Sequence, residues 1–291
     1  MGHLGHAGMS TVHDEIVTPI EGARLARDPR FGYYRVVPTP PDAELAAHYR
    51  DRYRLADPPH DVAGRAAMIR RWCPTPGRVL DVGCGEGEML DHLRRDGWEV
   101  VGLEPGRESA AVARDKSIRV IDAMPTDATF AELGGFDVVI LAHVLEHLPR
   151  PDEMVGRVYR LLEPGGLFYC EVPNDFNPLQ RAAAQALDLP PWWIALPDHL
   201  NYFSHESLAA LLVGSGFEIE SITTDFPMEM FLLQGENYVT DGEVGRRVHQ
   251  KRCRFEQALR EAGEGECLDR LYEKLAELGI GRQAIVCGRK R

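Results

Sequence analysis

Hydrophobic and polar positions along most of this chain predict strands and helices in turn. From about Asp61, short apolar and β-branched runs are followed by amphipathic helical stretches. This alternation is typical of a parallel sheet with crossover helices. The predicted strands are Arg78–Val82, Glu99–Leu103, Ile118–Ile121, Phe136–Leu141, Gly166–Val172, Phe217–Thr224 and a last strand within Gly281–Lys290. The predicted helices are Glu88–Arg95, Arg107–Asp115, Pro151–Leu162 and Ser204–Ser215.

Two segments interrupt this alternation and divide the chain. Residues 174–201 are rich in proline and tryptophan and too long for a tight connection, which predicts a lid or binding loop. Residues 227–281 contain two helical patterns around the sequence EAGEGE, which predicts a helical hairpin. We therefore expect an N-terminal segment with its own helix (1–60), a core (61–226), a helical cap insertion (227–281) and a last core strand (282–291).

Composition and charge narrow the classes of partner. The 291-residue chain is 44% hydrophobic and 27% charged, as ordinary globular proteins are, and its net charge is -12. That charge argues against a nucleic-acid partner held through its phosphates. The six cysteines include no C-x-x-C pair, which favours reduced thiols over a zinc site or a disulfide framework. No signal-peptide pattern and no apolar stretch of roughly 18 residues is present, so we expect a cytoplasmic protein without a membrane partner.

The clearest candidate site is the loop after the first predicted core strand, in the stretch RVLDVGCGEGEML. Ligands of open α/β sheets bind at the carboxyl ends of the strands. The spacing Gly83-x-Gly85-x-Gly87 departs from the dinucleotide pattern G-x-G-x-x-G, because Glu88 stands where its third glycine would fall. Asp81 and two glutamates place three carboxylates at this loop, which is unfavourable for a phosphate. A ligand with a positive charge fits the loop better.

The loop and three later blocks resemble the class I S-adenosylmethionine-dependent methyltransferases, in particular bacterial enzymes that act on small molecules. The blocks are VVGLEPG, FDVVILAHVLEHLPRP and LLEPGGLFYCEVPN, and the resemblance runs from about Asp61 to Thr224. It implies an α/β fold with a doubly wound, mostly parallel seven-stranded sheet of the Rossmann-like methyltransferase type. It also implies S-adenosylmethionine as cofactor, whose amine and sulfonium suit the acidic loop.

The resemblance assigns roles to the cofactor-binding residues. The glycines let the backbone approach the methionine part closely, since a Cβ would intrude. Asp81 is expected to meet the methionine amine, and Glu104 to accept hydrogen bonds from both ribose hydroxyls. Asp122 to Met124 are expected along the adenine, and Ala142 and His143 near the reactive methyl. The full predicted set is Asp81, Gly83, Cys84, Gly85, Gly87, Glu104, Pro105, Asp122, Ala123, Met124, Ala142 and His143.

The acceptor side of the site is predicted from the lid and its surroundings. His199, in PDHLNYFSHESL, is the first candidate for a catalytic base and His143 the second. A purely structural role for His199, holding the lid through a loop carbonyl, stays equally open. The predicted substrate-binding residues are Asn174, Trp193, Tyr202, Tyr49 and Tyr53.

Two further expectations concern metal binding and the pocket wall. No compact acidic cluster in the sequence demands a metal, and Glu146 and His147 are interpreted as helix and loop architecture. Carboxylates occur among the hydrophobic residues of Phe226–Val239. Because buried carboxylates need partners or a function, we expect this stretch to line the substrate pocket.

The function predicted is methyl transfer to a small polar metabolite, foremost to a sugar-like or natural-product hydroxyl with a histidine base. N- or carboxyl-methylation of a small molecule is the near alternative. A nicotinamide-dependent oxidoreductase and a non-catalytic methyltransferase-like scaffold are alternatives of other classes. The helical insertion either caps the substrate cleft or pairs with a second copy of the chain, so a homodimer is among the expected partners.

Overall fold

The computed structural model describes residues 15–17, 23–41 and 62–291. The helix predicted near the N-terminus lies outside these described residues, and so do Tyr49 and Tyr53. These two substrate-binding candidates therefore stay predictions.

Strands and helices follow one another closely as predicted. The strands are β1 (Glu15–Val17), β2 (Arg24–Arg27), β3 (Tyr34–Val37), β4 (Arg78–Val82), β5 (Glu99–Leu103), β6 (Arg119–Ile121), β7 (Phe136–Ala142), β8 (Leu162–Pro173), β9 (Asn201–Tyr202), β10 (Phe217–Thr223) and β11 (Gln283–Lys290). The helices are α1 (Val62–Trp72), α2 (Glu88–Arg95), α3 (Arg107–Asp115), α4 (Asp127–Ala131), α5 (Pro151–Leu161), α6 (Pro178–Leu187), α7 (His205–Gly214), α8 (Glu229–Leu233), α9 (Gly242–Glu261) and α10 (Gly265–Glu277), with a 3-10 turn at Leu145–His147.

Seven strands form the main sheet in the order β10-β11-β8-β7-β4-β5-β6. The strands from β8 to β6 in this order are parallel, whereas β11 pairs antiparallel with both β8 and β10. The prediction of a doubly wound, mostly parallel seven-stranded sheet with a helical insertion before the last strand is confirmed. The strand order reverses between β4 and β7, and such a reversal opens a crevice at the carboxyl ends of the strands.

Helices cover both faces of the main sheet, which explains why its central strands are apolar on both faces. In β4, Val79 and Leu80 point to opposite faces, and both are fully buried. Val79 packs in a cluster with Ile69 of α1, and Leu80 in a second cluster with Val155 of α5. Because both faces are packed, β4 holds the glycine loop that follows it in a fixed position.

A second, small sheet was not predicted from the sequence. It has the order β1-β2-β3-β9, with Tyr34 paired to Tyr202 and Arg35 to Asn201. Its strands are two to four residues long, too short for an alternating pattern to stand out. The sheet joins an N-terminal segment to the end of the lid, so it fixes the position at which the lid returns to the core.

The insertion before β11 contains the short helix α8 and two longer helices, α9 and α10. These two helices pack against each other, and the Tyr272 hydroxyl of α10 donates a 2.8 Å hydrogen bond to Oε1 of Glu256 on α9. Helix α10 also packs on β10. Among the described residues, none of the helices is sufficiently long and apolar to cross a membrane.

Candidate active site

A cavity of about 760 Å³ lies at the carboxyl ends of β4, β5 and β7. The glycine loop lines one end, together with residues that follow β5 and β6. The lid residues around Trp192 and Trp193 line the other end, together with Glu229 and Tyr238 of the cap insertion. The cavity thus joins the predicted cofactor loop to the predicted acceptor region, and the predicted lining role of Phe226–Val239 is met by these two cap residues.

All three glycines of the loop have left-handed backbone angles, with φ of 78° at Gly83, 53° at Gly85 and 77° at Gly87. L side chains rarely adopt this conformation, so the turn itself requires glycine. The loop is also tied to the next strand, because the Gly83 N–H donates a 2.7 Å hydrogen bond to the Leu103 carbonyl. The conformation of the loop is therefore fixed by its glycines and by its hydrogen bond to β5.

Close approach to a ligand, the reason predicted for all three glycines, is not what the structure shows at Gly87. Gly87 does not line the cavity. A Cβ there would lie 2.7 Å from Cδ1 of Ile118 and 3.0 Å from the Cβ of Ala113. Gly87 thus lets helix α2 start close to α3. Gly83 does line the cavity, and its added Cβ would lie 2.6 Å from Cγ2 of Val144.

Two buried carboxylates, Asp81 and Glu104, flank the loop and line the cavity. Burial raises the pKa of Asp81 to about 7, although the nearby Arg65 opposes this shift. Burial also raises the pKa of Glu104. Its two oxygens accept hydrogen bonds from the backbone N–H groups of Gly85 (3.0 Å) and Gly106 (2.6 Å). Each oxygen keeps a further lone pair, so these residues fit the amine and ribose hydroxyls of S-adenosylmethionine.

The other predicted cofactor residues divide into two groups. Cys84, Pro105, Met124, Ala142 and His143 line the cavity, as expected. Two predicted adenine neighbours, Asp122 and Ala123, do not line the cavity. Asp122 is exposed, and Ala123 packs against the hydrophobic core. The cavity therefore supports Met124 as an adenine neighbour and gives no support to Asp122 or Ala123.

His143 lies between two buried glutamates. Its Nδ1 is 3.3 Å from Oε1 of Glu146, and its Nε2 is 3.2 Å from Oε1 of Glu171. Burial disfavours the charged ring, but the two carboxylates outweigh it and raise the pKa of His143 to about 9. Arg65 also binds Glu171, through Nε to Oε2 (2.8 Å) and through Nη2 to the same Oε1 that faces His143 (2.5 Å), and its Nη2 lies 3.4 Å from Nε2 of His143. His143 is therefore a cation at neutral pH, in a network that sequence analysis did not find.

Three further ligand-type side chains meet beside His143. One ligand atom each of Glu146, His147 and His199 lies within 4.8 Å of the others. The Asp198 carbonyl accepts from Nδ1 of His147 at 2.8 Å, so in the neutral ring Nε2 carries the lone pair. Oε2 of Glu146 and Nδ1 of His199 are buried and have no hydrogen-bond partner among the described residues. Glu146 and His147 both line the cavity and also hold the lid in place, so their interpretation as architecture stays a prediction.

The end of the lid places His199 in this cluster. The Leu200 N–H donates to the Glu146 carbonyl at 2.7 Å, and the Asn201 amide donates to the carbonyls of Leu145 (3.0 Å) and Leu148 (2.7 Å). These bonds tie the lid to the turn after β7. Burial lowers the pKa of His199, so its ring is neutral at neutral pH.

Two predicted substrate-binding residues have structural roles instead. Asn174 is buried, and its amide donates to the carbonyls of Gly279 (3.0 Å) and Gly281 (2.9 Å), which ties the start of the lid to the cap. Tyr202 is buried in the second sheet, and its hydroxyl donates to the His199 carbonyl at 3.1 Å. Neither residue lines the cavity. A single sequence shows that such side chains are polar, but not that backbone carbonyls will satisfy them.

The acceptor end of the cavity is both aromatic and acidic. Trp193 lines it as predicted, packed edge-on against Trp192 and Phe176. Asp175 and Glu229 also line it and are 4% and 2% exposed. Sequence analysis did not single out Asp175, although its position two residues after the core strand β8 was the available signal.

The chain matches the family model described as methyltransferase domain over residues 46–222. It is 32% identical over 139 residues to a ubiquinone biosynthesis O-methyltransferase of Nitrosococcus oceani, covering 45% of this chain and 59% of that protein. It is 29% identical over 193 residues to the protein of the same name from Thiobacillus denitrificans, covering 62% and 82%. In four relatives of this name, the part that matches this chain makes up only 41% to 60% of the relative's length.

Two solved structures share the fold at low sequence identity. A S-adenosylmethionine-dependent methyltransferase from Archaeoglobus fulgidus superposes with a TM-score of 0.51 at 21% identity, over 79% of this chain and 95% of the other. The 1,6-didemethyltoxoflavin-N1-methyltransferase of Burkholderia thailandensis has a TM-score of 0.51 at 16% identity, over 94% and 98%. At these identities the likeness concerns the fold alone.

The family match, the fold and the motifs agree on one class. The prediction of a class I methyltransferase is confirmed by the family match and the fold, and S-adenosylmethionine stays its predicted cofactor. The chain belongs to the methyltransferase-domain family, through residues 46–222.

Proposed function

We propose that this protein transfers a methyl group from S-adenosylmethionine to a hydroxyl oxygen of a small polar molecule bound in the cavity. The observation that carries the proposal is the position of His199 in the cavity wall, with a ring nitrogen within 4.8 Å of a carboxylate oxygen of the buried Glu146, where burial lowers the pKa of His199. A hydroxyl acceptor needs such a proton acceptor, whereas an amine needs only its correct protonation state. The relatives named O-methyltransferases agree with this chemistry.

The donor supplies an electrophilic methyl group, so the protein's own task is alignment, exclusion of water and removal of one proton. Asp81 and Glu104 are proposed to hold the donor, as their burial beside the glycine loop supports. His199 is proposed to take the acceptor proton, because its ring is neutral. His143 is unsuited to that role, since at neutral pH its ring already carries a proton.

A panel of hydroxylated acceptors, with mass spectrometry as readout, tests this proposal. We expect an added methyl group on oxygen and a fall in turnover of about a hundredfold or more for His199→Asn, the usual size of a general-base effect. Affinity for S-adenosylhomocysteine should be unchanged in that variant. His92→Asn, on the surface side of α2, is the matched control. Turnover of His199→Asn within twofold of the wild type, or methylation on nitrogen, would contradict the proposal.

The arrangement of Glu146, His147 and His199 supports a second way to activate a hydroxyl. Two imidazoles and a carboxylate are a common ligand set for divalent transition metals, and a bound metal lowers the pKa of a hydroxyl without a base. Dialysis against EDTA separates the two candidates. Loss of turnover that returns with Zn²⁺ or Mn²⁺ would make His199 a ligand, whereas unchanged turnover would leave it as the base.

The acceptor itself is proposed to be a small molecule rather than a nucleic acid or a protein surface. Residues of both the lid and the cap insertion line the cavity, which favours a small acceptor bound between them. The net charge of -12 is unfavourable for a nucleic acid. A natural product or sugar-like metabolite with a free hydroxyl is the acceptor class that we favour.

A further inference from the structure

The acceptor end of the cavity contains two buried acidic side chains, and the one cation that acts on either of them among the described residues is Arg282, which lowers the pKa of Glu229 against the effect of burial. Oδ2 of Asp175 and Oε2 of Glu229 are buried, and neither has a hydrogen-bond partner among the described residues. Both side chains line the same cavity, from the start of the lid and from α8. Buried carboxylates are normally paired with a cation or hydrogen-bonded, because leaving one without a partner is costly.

Along the whole cavity wall, acidic side chains outnumber basic ones. Eight acidic side chains line the cavity, against two arginines and the cationic ring of His143. One of these arginines, Arg65, is bound to Glu171, and the other, Arg282, is exposed to solvent. At the glycine loop, the amine and sulfonium of the cofactor account for part of the acidic wall. They do not account for the carboxylates at the acceptor end, which lie among the lid and cap residues.

Aromatic side chains line the cavity together with these carboxylates. Trp192, Trp193 and Tyr238 line the acceptor end of the cavity. Faces of such rings attract cations, and they do so most strongly where water is excluded. Carboxylates together with tryptophan form a good environment for an ammonium group, which brings three donors and a positive charge.

We propose that the methyl acceptor carries a cationic amino group, bound by Asp175 and Glu229 against the tryptophans of the lid. The acceptor is therefore an amino alcohol, an aminophenol-type molecule or an amino sugar, with the hydroxyl and the ammonium at separate ends. The inference rests on the proposed function and narrows its substrate class. The amino group determines which molecule binds, and the hydroxyl near His199 receives the methyl group.

Three phenols that differ only in one terminal group test the proposal: tyramine (cationic), tyrosol (neutral) and 4-hydroxyphenylacetate (anionic). Their binding to the full chain, with S-adenosylhomocysteine present, is measured by calorimetry at pH 7.5. We expect tyramine to bind at least about tenfold more tightly than tyrosol, the usual size of one charged hydrogen bond. The anion should bind most weakly.

Isosteric variants connect the preference to the two acids. Glu229→Gln and Asp175→Asn should each weaken tyramine about tenfold and leave tyrosol within about twofold. The control is Glu236→Gln, whose carboxylate lies in the same segment but is bound by Lys251 at 2.7 Å. Unchanged affinity for S-adenosylhomocysteine shows that a variant is folded. If one of the two variants does not fold, the other alone is enough to test the proposal.

Each outcome decides the proposal. The proposal would be overturned if tyramine bound no more tightly than tyrosol, or if none of the three phenols bound. It would also be overturned if both variants kept the wild-type preference for tyramine over tyrosol. Methyl transfer to the phenol oxygen is measured separately and tests the proposed function. Methylated tyrosol without a preference for tyramine would overturn only the inference about the amine. If tyramine bound preferentially but no acceptor was methylated on oxygen, only the proposed reaction would be contradicted.

Discussion

Replacing Gly87 with alanine separates two explanations of the glycine loop. If Gly87 is needed for close approach of the cofactor, alanine should weaken cofactor binding. If it is needed for the turn and for packing of α2 against α3, alanine should destabilise the fold. The structure favours the second explanation, because the added Cβ would lie 2.7 Å from Ile118 and 3.0 Å from Ala113, and not in the cavity.

The size of the effect follows from two contributions. A left-handed backbone costs an L residue about 1–2 kcal/mol, and Gly87 has φ 77°. Inserting a methyl group into a packed site adds about 1–3 kcal/mol. We therefore expect Gly87→Ala to lower the free energy of unfolding by about 2–5 kcal/mol. Gly263, in the turn between α9 and α10, has φ 81° and no atom within 4 Å of an added Cβ, so Gly263→Ala should show the backbone cost alone.

Urea unfolding of the two variants and calorimetric titration with S-adenosylhomocysteine measure both quantities. We expect Gly87→Ala to be clearly less stable than Gly263→Ala, with an affinity for S-adenosylhomocysteine within about tenfold of the wild type, or about 1.4 kcal/mol. Equal stability of the two variants, together with a larger loss of affinity at Gly87, would refute the packing argument. Such a result would mean that Gly87 is needed for close approach of the cofactor.

Three further predictions concern the charged residues of the site. Glu104→Gln should weaken S-adenosylhomocysteine binding about tenfold or more, whereas the control Glu108→Gln, on the exposed side of α3, should leave it unchanged. NADH should give no heat of binding in calorimetry. Binding of NADH in place of S-adenosylhomocysteine would contradict the cofactor assignment. Glu171→Gln should lower the free energy of unfolding by about 3–5 kcal/mol, because it leaves Arg65 buried without its counter-ion; a loss below about 1 kcal/mol in urea unfolding would show that the pair is dispensable. The pKa of His143 is raised from 6.5 to about 9, so its contribution to stability should be complete below about pH 6.5 and disappear as the pH rises through 9. The difference in stability between the wild type and His143→Asn should shrink over that range, and a constant difference would count against the charged ring.

Local patterns in the sequence were sufficient for the core. The bounds of β4, α2, β5 and α3 agree with those predicted, because apolar spacing along each segment reflects the face that it buries. Asp81 and Glu104 were found for a related reason. Both follow or end a strand, and in a parallel sheet such positions converge at one edge.

The second half of the site was decided by tertiary structure. Arg65 and Glu171 are 106 residues apart in the chain, and the cluster of Glu146, His147 and His199 joins the turn after β7 to the end of the lid. No local pattern records which distant polar groups will meet, because their pairing depends on how elements far apart in the chain pack together. The sequence by itself determined the α/β core and the cofactor end of the cavity. Folding alone brought together the charged groups of the acceptor end, since burial and pairing change their chemistry only once they are in contact.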